Sequence, residues 1–550
     1  MNISTDRGIN PHEKGRGPRQ ASLLSWVFLA SIGVLCICFG WYAGASSGLD
    51  LLFAARTETI VAGSFVLTAS AVYLFGKFTP ERMVVLMLLT IPLVSSLVID
   101  IGGSVRINYL FALMAVFVGI YMKRMAFPHR GLTLALLLGF VLYALFSISY
   151  TLYLPSFTSV TSEGFRGLPI RSLIQFGQLI LMLIVFYVVL NYATSLERLS
   201  KLSKVIFWSL VGVVGYGTYE FLTAVYGLPF INLDTAPTSL SVSIAPHAGD
   251  LARTFGDISL PRPHSTFPEP IDLTAYLMFA MPFGIVATGL ARREMHRIYM
   301  AAFILLSAAF FVVANSRAGF IAVAVVIPFF LIMAPSWRVR VRFAGAAAAL
   351  SLVIAFVVFP MIGSPLGFSA PYGYFKENYK SLLSLTGRSG QNDEPLAVFQ
   401  KSPVLGVGIG NYPFYAQRPR TLSGGVPTTG NLYTRVLSEL GLVGTVLFLG
   451  FVLSILVGLW KVMRKSTIPQ LRHLAFAALM AISGMLVVKI GTVGLYTESH
   501  MWVAFAMGLA IVRLHASERS VRTNGPAHRG SLPEVNGDQS AQRSTIPQGG

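Results

Sequence analysis

Long apolar segments alternate with short polar connections along most of the chain. A helix needs about 20 residues to cross the hydrocarbon core of a bilayer, and many of these segments have that length. The predicted transmembrane helices lie at 22–43, 57–76, 83–99, 107–122, 131–149, 171–190, 204–226, 271–290, 298–314, 319–334, 343–361, 432–460, 474–491 and 497–512. The pattern therefore predicts an all-α polytopic membrane protein with about 14 transmembrane helices.

The same pattern divides the chain into five regions. The tails, 1–21 and 515–550, are rich in Gly, Pro, Ser, Arg and Gln, and we expect both to be disordered. Helices 1–11 fall within 22–361, and helices 12–14 fall within 432–514. Between them, 362–431 forms a connection of about 70 residues, which is far longer than the usual link between helices. Its aromatic residues, the helical pattern EPLAVFQKS and the turn sequence LGVGIGNYP predict a small folded outer loop.

Basic residues gather at alternate connections between the predicted helices. They are Lys77, Arg82, Lys123, Arg124, Arg130, Arg198, Lys201, Lys204, Arg292, Arg293, Arg297, Arg338, Arg340, Arg342, Lys461, Arg464 and Lys465. The positive-inside rule then predicts that both termini are cytoplasmic and that the loop 362–431 lies on the outer face. The net charge of +19 follows mainly from this arrangement, so nucleic acid is not an expected partner.

Several charged residues stand at the predicted outer ends of transmembrane helices. Charges at the membrane are costly, so a functional role is the first hypothesis for each of them. They are Arg262, His264 and Glu269 before one helix, Arg317 in a short turn, Arg435 and Glu439 at the start of another helix, and Lys489, Glu498 and His500 around the last connection. Arg262 and Arg317 together could hold a pyrophosphate, because guanidinium groups form bidentate bonds to phosphate.

Each of these residues also has a structural interpretation. Arg317 could extend its side chain to the interface, and Lys489 could do the same or pair with a nearby carboxylate. Arg435 and Glu439 are spaced i,i+4 and could form a simple ion pair on one helix. Histidines are more often surface residues than catalysts, which applies to both His264 and His500. Likewise, the glycines of LGVGIGNYP favour turns, since they lack the strand–turn–helix setting of a nucleotide loop.

Five stretches between about 250 and 500 resemble, in order and spacing, the O-antigen ligase and polymerase family of bacterial cell-envelope enzymes. They are RPHSTFPEPIDLTAYL from Arg262, NSRAG around Arg317, TGR ending at Arg388, SPVLGVGIGNY ending at Tyr412, and NLYTRVLSELGLVG from Asn431. The resemblance implies a glycosyltransferase of the bacterial inner membrane that works without metal or cofactor. It would transfer a glycan from an undecaprenyl-diphosphate carrier to the hydroxyl group of an acceptor.

The resemblance also suggests roles for individual residues. Arg262 and Arg317 match the arginines that bind the diphosphate in this family. An attacking hydroxyl also needs a proton acceptor, for which Glu439, His264 and His500 are candidates in that order. The candidate substrate-binding residues are Arg388, Asn431, Tyr433, Arg435 and Lys489. No metal site is expected, since the two cysteines, Cys36 and Cys38, both lie in the first apolar segment.

One position separates the two activities of the family. The ligases carry a His directly before the Asn that opens the NLYTR helix, whereas this chain has Gly430 there. We therefore expect a polymerase that joins lipid-linked repeat units of an exopolysaccharide or O-antigen. The alternatives are a ligase acting on lipid A core or protein and, in another class, a lipid-linked oligosaccharide flippase. The expected partners are the carrier-linked glycan, the growing polysaccharide acceptor and the lipid bilayer, and a chain-length regulator is compatible with this activity.

Overall fold

The structure is a computed structural model of the 550-residue chain. It describes residues 80–93, 98–100, 104–121, 131–151, 168–226, 230–231, 242–243, 253–255, 258–260, 262–267, 269–290, 293–314, 316, 318–319, 321–323, 325, 389–415, 430–492, 494 and 498–523. The chain divides into two compact units, Met1–Met83 and Val84–Gly550. Only residues 80–83 of the first unit are described, and the contacts reported below all lie within the second.

The described residues form twelve helices and three short antiparallel hairpins. The helices are α1 (Pro80–Thr90), α2 (Ile107–Tyr121), α3 (Leu132–Thr151), α4 (Leu168–Tyr192), α5 (Leu196–Tyr226), α6 (Pro270–Gly289), α7 (Glu294–Val313), α8 (Ser389–Lys401), α9 (Tyr412–Tyr415), α10 (Leu432–Lys465), α11 (Pro469–Val488) and α12 (Ser499–Thr523). The hairpins pair β1 (Val98–Asp100) with β2 (Ser104–Arg106), β3 (Phe230–Ile231) with β4 (Val242–Ser243), and β5 (Arg253–Phe255) with β6 (Ile258–Leu260).

Seven helices of the described part are long and apolar enough to cross a membrane, namely α3, α4, α5, α6, α7, α10 and α11. The helical, polytopic membrane character predicted from the sequence is therefore confirmed. Helices α2 and α12 also lie where helices were predicted, although they do not meet the same criteria of length and hydropathy. The number of 14 stays a prediction, because 22–43, 57–76, 343–361 and most of 319–334 fall outside the described residues.

The predicted helix at 83–99 is wrong in its second half. Helix α1 ends at Thr90, and Val98–Asp100 belongs to a hairpin. Pro92 ends the helix, because proline disfavours helical conformation in the residue before it. In the last turn the Thr90 hydroxyl donates to the carbonyls of Leu86 and Met87 at 2.8 and 3.1 Å.

The end of α12 also differs from the sequence prediction. The helix continues to Thr523, so the first part of the predicted tail 515–550 is helical. Its last turns are held by Glu518, which accepts hydrogen bonds from Ser466 and Thr467 in the turn between α10 and α11. The predicted tail 1–21 lies outside the described residues.

The core of the bundle is apolar, and its helices are closely packed. Helix α11 packs against α6, α10 and α12, while α5 packs on α6, α3 on α10, and α4 on α12. Where α4, α10 and α12 meet, Trp502 stacks on Phe451 with ring centroids 6.4 Å apart and contacts Phe186 edge-on at 6.3 Å. Outward-facing residues such as Leu142 and Leu453 are exposed, as expected for a lipid-facing surface.

The two ends of the bundle differ in chemistry. The site end comprises the ends of α3, α5 and α11 together with the starts of α4, α6, α10 and α12. It holds every described candidate residue. The opposite, basic end holds the turns α4–α5, α6–α7 and α10–α11, with Arg198, Arg293 and Arg464 among their residues. This separation follows the alternation of basic connections seen in the sequence.

Candidate active site at one end of the bundle

A short loop before α6 is fixed by a glutamate from α5. We call residues 262–267 the RPHSTF loop. Glu220, whose side chain is fully buried, accepts hydrogen bonds through one carboxylate oxygen, Oε2, from the backbone N–H groups of His264 and Ser265 at 3.2 and 2.7 Å. The Ser265 hydroxyl donates to the Val213 carbonyl at 2.7 Å, and the Thr266 hydroxyl donates to the Pro92 carbonyl at 2.6 Å. The loop is thus held on three sides.

His264 lies inside this arrangement, so its surface interpretation is wrong. Its side chain is 6% exposed, and both ring nitrogens face acceptors. Nδ1 lies 2.5 Å from the Phe267 carbonyl oxygen, and Nε2 lies 3.3 Å from Glu220 Oε1. Nδ1 can donate to this carbonyl, and Nε2 faces the carboxylate. Both ring nitrogens are therefore directed at groups of the protein.

A second buried cluster joins the end of α11 to the start of α12. We call Lys489, Glu498 and His500 the lysine cluster. The Lys489 ammonium forms a very short ion pair with Glu498 Oε1, and His500 Nε2 lies 3.1 Å from Glu498 Oε2. The predicted pairing of Lys489 with a carboxylate is confirmed. The surface interpretation of His500 is wrong, since this residue is 1% exposed.

Aromatic residues of α6 connect the two clusters. The Tyr276 ring meets the His500 ring edge-on at 5.8 Å and the Phe267 ring of the RPHSTF loop at 5.3 Å. Its hydroxyl donates to the Ser209 hydroxyl of α5 at 2.7 Å. Tyr276 therefore fixes the spacing between the RPHSTF loop and the lysine cluster.

The first turns of α10 complete the site end. The Asn431 side chain caps the helix by accepting from the Thr434 N–H at 2.7 Å. The N–H of Leu432 donates to the Lys489 carbonyl at 3.0 Å, and the Tyr433 hydroxyl donates to the Leu486 carbonyl at 2.7 Å. Of the two residues predicted to bind substrate, Asn431 thus caps α10 and Tyr433 anchors α10 to α11.

The predicted ion pair on α10 is confirmed. Arg435 Nε donates to Glu439 Oε1 at 3.1 Å, at the i,i+4 spacing read from the sequence. The same guanidinium donates to the Gln175 side chain of α4 at 3.3 Å. Because Glu439 is fully buried, this ion pair lies in the interior rather than on a solvated helix face.

The glycine-rich stretch forms turns, as predicted. We call residues 402–411 the glycine loop. Gly406, Gly408 and Gly410 have φ values of 74°, 92° and 76°, which side-chain-bearing residues rarely adopt. A Cβ on Gly410 would come within 2.5 Å of the Gln175 side chain, so the loop backbone also approaches α4 closely.

The glycine loop is docked on helices that the sequence did not connect to it. The Tyr143 hydroxyl of α3 donates to the Leu405 carbonyl at 2.9 Å, and the Ile409 N–H donates to the Ser147 hydroxyl at 3.2 Å. From α4, the Ser172 hydroxyl donates to the Asn411 side chain at 2.9 Å. These polar residues lie in otherwise apolar helices, and no sequence motif identifies them.

Helical residues that follow α7 pack against the same helices. Ala318 and Ala322 lie in an apolar cluster with Ala275 of α6 and Val488 of α11. A Cβ on Gly319 would collide with the Thr274 side chain, so this segment needs a glycine to approach α6. Arg317 and Arg388 themselves lie outside the described residues, whereas Arg262 is described and partly buried.

The structure therefore brings the RPHSTF loop, the lysine cluster, the start of α10 and the glycine loop to one end of the bundle. Glu220 and Gln175 are members that sequence reasoning missed, as are Tyr143, Ser147 and Ser172. Glu220 could have been recognised from the sequence, because an ionisable residue inside an apolar helix is by default expected to be functional. Among the described residues, no three His, Cys, Asp or Glu side chains come together as a metal site would require.

Comparison with known proteins identifies a family over part of this region. Residues 301–449 match the family described as O-Antigen ligase. The matched segment contains the helical residues after α7, the glycine loop and the first half of α10, and it excludes the RPHSTF loop and the lysine cluster. A comparison with curated proteins finds no match to this chain. Residues 301–449 are thus similar to the O-antigen ligase family, which confirms in that segment the resemblance visible in the sequence.

Proposed function

We propose that the chain is a membrane glycosyltransferase that polymerises undecaprenyl-diphosphate-linked repeat units at the outer face of the bacterial inner membrane. One observation carries the proposal. The glycine loop and the start of α10 belong to the segment that matches the O-antigen ligase family, and they lie at the same end of the bundle as the other polar clusters. A lipid-linked sugar diphosphate would meet the protein at such an end, because its lipid lies in the bilayer and its glycan lies in water.

The chemistry assigned to this end is the transfer of a glycan. The bond between the anomeric carbon and the diphosphate oxygen breaks, and its electron pair stays on the leaving diphosphate. The acceptor hydroxyl forms the new bond to the anomeric carbon and loses its proton. Arg262 and Arg317 are the proposed diphosphate ligands, because fixed guanidinium groups stabilise the charge that develops on the leaving group.

The three candidate proton acceptors differ in their surroundings. His264 has acceptors at both ring nitrogens, and the Glu439 carboxylate is already engaged by the Arg435 guanidinium. His500 Nε2 lies 3.1 Å from Glu498 Oε2, so this carboxylate can orient the imidazole ring. We therefore rank His500 first for this role. Its burial requires the acceptor hydroxyl to reach into the bundle end.

A ligase is the second candidate function, since the matching family is described as O-Antigen ligase. Gly430, at the position where the resembling ligases carry His, favours the polymerase. A flippase is disfavoured because the described charged candidates cluster at one end of the bundle, whereas transporters place such residues near the bilayer midplane.

Deletion of the gene followed by analysis of the surface glycan tests the proposal. A strain without the polymerase should carry single repeat units or lose the polymer, while loss of a ligase should leave long polymer on its lipid carrier. Normal polymer on its normal acceptor would overturn both enzyme functions. Complementation with Arg262→Lys or Arg317→Lys, at matched protein levels, should restore little polymer, because lysine keeps the charge but not the bidentate contact.

A further inference from the structure

Burial of the Glu220 carboxylate costs free energy at its position. The residue lies in the apolar stretch GYGTYEFLTAVY of α5 and is fully buried. A carboxylate in such a place is stable only when its oxygens are hydrogen-bonded or paired. Glu220 takes no direct part in the proposed transfer reaction. A different role must therefore explain why a carboxylate is buried here.

The Glu220 carboxylate contacts the RPHSTF loop through both of its oxygens. Oε2 accepts the N–H groups of His264 and Ser265, and Oε1 faces His264 Nε2 at 3.3 Å. Ser265 has a φ of 56°, a conformation that residues other than glycine rarely adopt without local support. One carboxylate therefore satisfies two buried backbone donors and stabilises a turn that the chain would not prefer by itself.

We propose that Glu220 is the positioning residue for Arg262, holding the RPHSTF loop so that this guanidinium is presented to the diphosphate of the lipid carrier. The inference rests on the proposed function. Arg262 stands two residues before His264 in the same loop, and the direction of its side chain follows from the backbone that Glu220 fixes. Glu220 itself contacts neither the substrate nor the reacting atoms.

This positioning role predicts that Glu220→Ala disturbs the loop more than Glu220→Gln does. Glu220→Gln keeps a carbonyl oxygen for the two N–H groups, and its amide can donate to His264 Nε2, so the loop should be retained. Glu220→Ala removes every acceptor and leaves two buried N–H groups unsatisfied. If Glu220 worked instead through its charge or as a proton carrier, Gln would be as damaging as Ala.

The full-length protein in lipid nanodiscs, with undecaprenyl diphosphate as the probe, provides the test. Glu220→Ala should weaken binding of the probe about tenfold or more, whereas Glu220→Gln should stay within about threefold of wild type. Glu518→Ala is the matched control. It removes a carboxylate with several hydrogen bonds at the basic end and should leave binding unchanged. Equal binding by Glu220→Ala and wild type, or equal loss in Glu220→Gln and Glu220→Ala, would overturn the inference.

A second pair of variants covers the case in which Glu220→Ala fails to fold. Ser265→Val disfavours the positive φ while leaving Glu220 in place, and Ser265→Gly permits it. The valine variant should lose affinity for the probe and the glycine variant should keep it; the reverse order would contradict the positioning role. Wild-type protein that does not bind undecaprenyl diphosphate would instead overturn the proposed function, and this inference with it.

Discussion

At the scale of single residues, the site end is stabilised by buried charges that satisfy one another. Lys489 is fully buried, and its ammonium is paired with Glu498. Replacing a lysine in such a pair leaves the carboxylate without its main counter-charge in a low-dielectric interior. The cost of such an unpaired charge is about 3–5 kcal/mol, far above that of a surface ion pair.

Lys489→Ala should therefore lower the free energy of unfolding by about 3 kcal/mol. Thermal unfolding of the purified protein in detergent measures the effect as a lower Tm. The double variant Lys489→Met with Glu498→Gln should recover part of the loss, because it removes both charges and keeps the volume. A Lys489→Ala protein as stable as wild type would show that the pair contributes little.

A second carboxylate lies outside the membrane-spanning segments and gives a pH dependence. Hydrogen bonds from Thr467 lower the pKa of Glu518 from 4.5 to about 2, with His515 and Ser466 adding to the effect and burial opposing it. Since the folded pKa is below the unfolded one, the unfolded chain binds more protons between these values. The stabilisation by Glu518 is therefore complete above about pH 4.5 and is lost as the pH falls towards 2.

Comparison with Glu518→Gln tests this dependence. The difference in Tm between wild type and the variant should be constant from pH 7 to pH 5 and should shrink as the pH is lowered further. A difference that stays constant down to pH 3 would contradict the role of the ionised carboxylate.

Residue-level predictions succeeded where they depended on local spacing. The Arg435–Glu439 pair follows from the i,i+4 rule, which needs only the helix. The burial of His264 and His500 could not be predicted, because it depends on helices distant in sequence. Glu220 was overlooked although an acidic residue in an apolar helix is a recognisable signal.

At the scale of elements, the main departure from regular structure is the break in α10. Gly441 has φ 60° and ψ −164°, which interrupts the helix. The glycine loop supplies the missing partners. The N–H groups of Leu442 and Gly408 donate to the carbonyls of Pro403 and Glu439 at 2.9 and 2.7 Å. The helix break and the loop therefore form one unit.

Gly441→Ala should disrupt this unit. A Cβ there would collide with the Val404 carbonyl, and a left-handed φ costs about 1–2 kcal/mol in any residue with a side chain. We expect a lower Tm and a loss of polymer formation in the complemented deletion strain.

Gly450→Ala is the matched control on the same helix. Its Cβ would make only ordinary contacts with Leu136 at 3.6 Å, so it should be neutral or slightly stabilising. If both variants behave alike, the break at Gly441 is not important for stability.

The hydropathy pattern predicted which elements exist better than where they end. The helices at 131–149, 271–290 and 432–460 are confirmed as α3, α6 and α10. The end of α1 depends on Pro92, and the length of α12 depends on tertiary hydrogen bonds to Glu518. The break at Gly441 was not predicted, since a glycine inside an apolar segment also fits close helix packing.

At the scale of the whole molecule, the separation of a polar site end from a basic end is the property most relevant to function. The alternation of basic connections in the sequence predicts this separation, but not which motifs meet. The glycine loop docks on α3 and α4 through hydrogen bonds that join residues more than 200 positions apart, such as Tyr143 to Leu405 and Ser172 to Asn411. Sequence spacing carries no information about such contacts.

The orientation of the two ends in the membrane can be tested with reporters on either side of α10. A reporter fused after residue 395, within α8, should score as extracytoplasmic, because the site end must face the compartment that holds the lipid-linked glycan. A reporter fused after residue 467, in the turn between α10 and α11, should score as cytoplasmic, as Lys461, Arg464 and Lys465 predict. The two positions are separated by one transmembrane helix, so each is the control for the other. A cytoplasmic signal at 395 would place the whole site end on the wrong side of the membrane for the proposed reaction, whatever the activity of the single-residue variants.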